Sequence, residues 1–303
     1  MAIARGHHEY LEAQLAALPY LPAVERLTPR VIRILGGNAS KFHLQGTNTY
    51  LLGTGRERLL IDTGQGIPIW IETLSDVLAR ENAVVTQALL THWHLDHVTG
   101  SRDLRKLSPS TKYYKNSPDD GQEDIHDGQL FSVEGATVRA LHTPGHSFDH
   151  MCFLLEEEDA IFTGDNVLGH GTTVFSDLGA YMKSLQRMLD QDMAGVAYPG
   201  HGALIASAKD KIAEYIRHRM RREEQIVKVL EENRGGKRDP AGDLGLTALD
   251  IVNVIYTSVG PELRLAAAKG AVQVLEKLEA EGKVGKEDRG GQKKWFLADR
   301  PGL

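Results

Sequence analysis

Thr91-His92-Trp93-His94-Leu95-Asp96-His97 places three histidines and an aspartate within six positions. It follows the run Val84–Leu90, which reads as a buried strand. Side chains two apart on an extended chain share a face, so His92 and His94 can converge on one metal. Asp96 and His97 fall where the chain must turn and can face a second metal beside the first. Neutral imidazole and carboxylate suit zinc, and also manganese or iron. Such a cluster constrains the fold. The strand must end at a rim, and other segments must bring the remaining ligands to it.

The chain has 303 residues, enough for one large domain and a small one. Its net charge of -6 disfavours generic binding to nucleic acid or to a membrane surface. A single cysteine, Cys152, excludes an internal disulfide and fits a reducing compartment. It lies in the strand-like run 149–155 and reads as a small core residue. The first 14 residues carry charge and two histidines instead of an apolar leader, and no apolar run approaches the length of a membrane span. The expectation is a cytoplasmic protein with no membrane partner.

Pattern and punctuation suggest the elements. An amphipathic helix is expected over 8–18, ended by Pro19 and Pro22. Strands are expected over 31–35 and over 42–52 with an interruption at Gly46. Gly53-Thr54-Gly55 then turns into a strand over 58–62. Trp70, Ile71, Leu74, Val77 and Leu78 share helical spacing, so 68–80 should cover a sheet face. A helix is expected over 99–107, a strand over 111–115, a polar loop over 116–127 and a hairpin over 129–142. Later strands end at Gly164-Asp165-Asn166 and at Pro199-Gly200-His201-Gly202. A long helix should run over 208–233, followed by a glycine-rich linker.

His-x-His-x-Asp-His after a strand resembles the signature of the metallo-β-lactamase superfamily. That resemblance implies a four-layer α/β/β/α sandwich and a dinuclear site holding two divalent ions, zinc first and manganese as the alternative. In it His92, His94 and His146, the last from Thr143-Pro144-Gly145-His146, bind one ion. Asp96, His97 and His201 bind the other, Asp165 bridges them, and Asp62 orients a ligand histidine. His142 and His150 are set aside as neighbours. Two such ions activate a shared water for attack on a carbonyl or phosphoryl centre. Asp96 then belongs to the catalytic group. His170 is a candidate for a substrate or proton role.

Longer stretches, 42–50, 60–66, 162–172 and 198–202, are similar to fungal metallo-β-lactamase-type thioesterases. Those proteins release polyketides, such as atrochrysone carboxyl, from the acyl carrier protein of non-reducing polyketide synthases. The alternative is the sister group of β-lactamase-like-2 endoribonucleases, which cut single-stranded RNA. Only 35 residues separate Asp165 from His201, too few for the inserted domain of the larger processing nucleases.

Domains are expected over 1–240 and 241–303. Thr247 should cap a helix with Asp250 in the box position, and Pro261 should start another. A hairpin around Gly290-Gly291 completes a unit resembling a winged helix. Its nine Lys+Arg balance nine Asp+Glu. A DNA reader should be basic, so DNA is not expected as a partner. An acidic carrier protein would need a local basic surface, for which Arg217, Arg221 and Arg222 on the long helix are the candidates.

Overall fold

The computed structural model describes residues 17–233, 245–257, 260–289 and 291–298. The helix expected over 8–18 and the linker after 233 lie largely outside those residues.

Two sheets carry the first unit. One has seven strands in the order β1 (Val24–Thr28), β2 (Val31–Leu35), β3 (Asn48–Leu52), β4 (Glu57–Ile61), β5 (Val84–Leu90), β6 (Lys112–Lys115) and β7 (Glu123–Asp124). β1 to β4 pair antiparallel, whereas β4 to β7 pair parallel. The other sheet has β8 (Leu130–Val133), β9 (Ala136–His142), β10 (Met151–Leu155), β11 (Ala160–Gly164) and β12 (Ala197–Pro199) in consecutive order.

Strand alternation sorts the apolar residues into two layers. Tyr50, Leu52, Leu59, Ile61 and Leu89 face Val138, Ala140, Met151, Phe153 and Phe162 in the core between the sheets. Leu51, Leu60, Val85 and Ala88 point the other way, against Trp70, Leu74, Val77 and Leu78 of the helix Pro68–Glu81. That helix runs as the sequence pattern predicts, and its stripe is core. The opposite outer face of the second sheet meets the helix Leu178–Leu189, where Cys152 Sγ lies 3.9 Å from Met188 Sδ. The arrangement is α/β/β/α.

The structure differs from the sequence reading in three places. The strand expected over 42–52 begins only at Asn48. Before it, 41–43 form a turn, and Leu44 adopts φ 53°, which no strand residue can. The helix Leu178–Leu189 was not expected, although Asp177 caps it by accepting from Ala180 N–H at 2.9 Å. The helix expected over 99–107 runs over Ser101–Leu107, and a separate helical turn that was not expected, Leu95–Val98, precedes it.

Contacts divide the chain within the long helix Ala208–Glu232, at Tyr215/Ile216. In the second unit, Thr247 and Asp250 form the reciprocal capping box on Ala248–Ile255. Pro261 opens the helix Pro261–Ala280, and β13 (Val284–Arg289) pairs with β14 (Gln292–Leu297) as the wing. Glu223 on the long helix pairs with Lys277 at 2.6 Å and with Lys283 at 3.2 Å.

Candidate metal centre and active-site cavity

Strand ends from both sheets converge. β5 ends at Leu90 and runs into Thr91-His92, and the turn after it carries His94, Asp96 and His97. His146 lies on the loop after β9, Asp165 follows β11, and His201 follows β12. Gly145 lets the His146 loop approach the helix Leu178–Leu189, because a Cβ there would meet the Tyr181 backbone at 2.3 Å. The His201 loop is clamped to β3: Asn48 Nδ2 donates to Pro199 O and Gly202 O, and Tyr50 Oη donates to Pro199 O.

Two groups of side chains able to hold a metal result, His92–His94–His146–Asp165 and Asp96–His97–His201. In the first, His94 Nδ1 lies 2.9 Å from His92 Nε2 and 3.1 Å from His146 Nε2. In the second, Asp96 Oδ2 lies 3.2 Å from both His97 Nε2 and His201 Nε2. Asp165 addresses both groups. Its Oδ2 is 3.7 Å from His146 Nε2, and its Oδ1 is 3.4 Å from His97 Nε2 and from His201 Nε2.

Proton placement explains why these atoms suit a cation. His97 Nδ1 is 2.7 Å from Asp62 Oδ2, and His146 Nδ1 is 2.8 Å from Val174 O. Carboxylate and carbonyl oxygens only accept, so both rings donate from Nδ1, and each Nε2 faces the centre and offers a lone pair there once it carries no proton. Thr91 Oγ1 donates to Asp62 Oδ2 at 2.9 Å, so its lone pair must accept from His92 Nδ1–H, also at 2.9 Å. His92 Nε2 is thereby a lone pair as well. His97 Nε2 and Asp165 Oδ1 are buried with no hydrogen-bond partner. Converging lone pairs and orphaned buried acceptors fit a divalent cation and little else.

The two groups differ electrostatically. Burial, then the neighbouring His97, pushes His92 well below the ordinary imidazole range. Burial and His146 likewise lower His94. Burial also opposes charge on His97, but the carboxylates of Asp165, Asp62 and Asp96 outweigh it and raise that group well above the usual value. His201 is pushed up to about 9: Asp165 and Asp96 overcome its burial. Asp96 and Asp165 stay well below the usual carboxylate range despite burial, held there chiefly by His97 and His201.

Asp62 sits where sequence reasoning expects it, against His97, and also accepts from Thr91 N–H at 2.8 Å. His142 lies outside both groups, and its Nε2 is 3.3 Å from Phe148 O. His150 is buried behind the centre, where its Nε2 accepts from the Asp165 backbone N–H at 3.1 Å. A cavity of about 480 Å³ opens over the two groups, and exposed His170 lines it. Sequence reasoning missed His43, which lines the same cavity, stacks on His201 with ring centroids 5.4 Å apart, and places Nε2 3.6 Å from Asp96 Oδ2. It also missed Thr47, whose Oγ1 donates to Asp96 Oδ2 at 3.1 Å. Both lie in a stretch read as strand, which hid their approach to the centre.

Residues 44–119 and 108–201 match the profile of the metallo-beta-lactamase superfamily. The chain belongs to the metallo-β-lactamase superfamily. Residues 247–295 match the beta-lactamase associated winged helix domain. A superfamily relative from Aspergillus chevalieri, named "Atrochrysone carboxyl ACP thioesterase", is 52% identical over 95% of this chain and 94% of its own length. A Passalora fulva protein of the same name is 49% identical over 96% of this chain and 88% of its own. Among solved structures, a beta-lactamase domain protein from Burkholderia ambifaria aligns with a TM-score of 0.75 at 18% identity, covering 92% of this chain and 95% of that one. That similarity concerns the fold.

Proposed function

We propose that this chain is a metal-dependent thioesterase that hydrolyses the bond between a polyketide and its acyl carrier protein. The observation that carries the reading is the near full-length similarity to thioesterases so named, at 52% identity for the Aspergillus chevalieri relative. In this reading His92, His94 and His146 would hold one divalent ion and Asp96, His97 and His201 the other, with Asp165 facing both groups. Zinc suits the imidazole-rich first group, and manganese is the alternative. Cations held there would supply Lewis acidity, polarising an acyl carbonyl and lowering the pKa of a water.

The chain's own residues do the rest. Asp62 keeps the proton of His97 on Nδ1. Thr47 holds Asp96 by a hydrogen bond to the oxygen nearest His97 and His201. His170 at the cavity mouth meets substrate or passes a proton. A thiolate leaving group, with a pKa of about 8.5, departs without a dedicated acid.

An acidic carrier protein would dock on exposed Arg217 and Arg221. Glu214 is engaged by Lys211 and Glu223 by Lys277 and Lys283, so neither of these glutamates competes for the two arginines. Arg222 is the weakest of the three candidates, because its guanidinium lies 4.7 Å over the Tyr256 ring. The reading places the protein in the cytoplasm, in keeping with its lone buried, reduced Cys152. RNA is disfavoured by the wing, where strand register sets Glu287 opposite Lys294 and Asp288 opposite Lys293.

The test is parallel incubation of the metal-loaded protein with carrier-bound polyketide and with single-stranded RNA. Release of the acyl chain with intact RNA is expected. RNA cutting without acyl release would replace this reading with an endoribonuclease.

A further inference from the structure

The segment 40–44 between β2 and β3 is folded against local preference. Leu44 holds φ 53°, a left-handed conformation costly for a bulky side chain. The surroundings enforce it. Ser40 Oγ accepts from the N–H groups of Phe42 and His43, Ser40 N–H donates to Leu44 O, and Gly46 N–H donates to His43 O. The result is a strap whose Phe42, His43 and Leu44 all line the cavity. His43 lies on His201, and a Cβ placed on Gly202 would meet Leu44 Cδ1 at 3.1 Å. Phe42 remains 77% exposed and Val174, on the loop that holds His146, 71%. Leu168 adds a further apolar wall.

Strain in a strap held in place by its own hydrogen bonds marks a conformation kept for use. Its apolar side chains are left in water beside the reacting centre, where a bound apolar group would cover them. We infer that the strap 40–44 is the acyl-recognition element of the site, with Phe42 and Leu44 acting together with Leu168 and Val174 to select a bulky apolar acyl group over a short one. This rests on the thioesterase reading for the word acyl. The strap itself is a specificity element independent of which bond is cut.

Binding of free carboxylates tests it without depending on turnover. Calorimetry on the metal-loaded full chain compares decanoate with acetate. Wild type should prefer decanoate by at least about tenfold. Phe42→Ala should shrink that preference by about tenfold, and Val174→Ala by about threefold. Both side chains are largely exposed, so neither variant threatens folding. An unchanged preference in both variants overturns the inference. A diminished preference in variants of a protein that cleaves no thioester would support the strap while refuting the thioesterase reading.

Discussion

Replacing Asp62 by asparagine tests the proton logic of the centre. Asp62 has φ 60°, and asparagine tolerates that backbone conformation, so the loop can keep its shape. Oδ1 continues to accept from Thr91 N–H. The new amide nitrogen, however, takes the place of Oδ2 and presents hydrogens to two groups that now donate there, His97 Nδ1 and Thr91 Oγ1. His97 must move its proton to Nε2, which removes a lone pair from the Asp96–His97–His201 group. Thr91 must turn its own hydrogen toward His92 Nδ1, which pushes the His92 proton onto Nε2 in the other group. Loss of such an outer partner weakens metal affinity by about 10–100-fold, or about 1.4–2.7 kcal/mol. Metal content after dialysis against a graded chelator series, with affinity from competition, should show both groups weakened. Two metals per chain bound by Asp62→Asn with wild-type affinity would refute the assignment of protons and of ligands together.

Removing His146 by His146→Ala should strip metal from the first group, whereas His142→Ala should retain it; elemental analysis of both variants decides. Metal loading should depend on pH with a definite sign. His97 and His201 are raised, the latter to about 9, so both are protonated near neutrality in metal-free protein and must lose a proton to ligate. The second group should therefore bind metal more tightly as pH rises toward about 9, with proton release measurable by calorimetry in buffers of different ionisation enthalpy, while the low-lying His92 and His94 let the first group load at lower pH. Burial pushes the Cys152 thiol up to about 12, so it should resist a thiol reagent at pH 8 until the protein is denatured. Arg217→Glu with Arg221→Glu should raise KM for a carrier-bound substrate about tenfold and leave a small free thioester unaffected; an equal effect on both discards the docking face.

The parts legible in the sequence are those written in local grammar. The Trp70–Leu74–Val77 stripe, the Thr247–Asp250 capping box and the strand before His92 each announce their structure within a few residues. The cluster of His92, His94, Asp96 and His97 was equally readable, since spacing alone brings those groups together. What escaped depends on contacts distant in sequence. Thr47 reaches Asp96 across 49 positions, and the strap before β3 keeps its left-handed Leu44 only through neighbours that enforce it. The helix Leu178–Leu189 was readable after all. Leu178, Tyr181, Leu185 and Met188 repeat on one face behind the Asp177 cap, a periodicity the sequence reading passed over.

Each group in the centre draws on both sheets. His92 and His94 come from the end of β5, and His146 and Asp165 from the other sheet. Asp96 and His97 follow β5, whereas His201 follows β12. Cations bound there would act as rivets through the rim of the sandwich, joining two layers that otherwise adhere by apolar packing and a few hydrogen bonds such as those of Asn48 and Tyr50. Affinity for metal is then also resistance to the layers sliding apart. Chelation would loosen the molecule at the edge where substrate enters, so that the catalytic and mechanical fates of this rim are one.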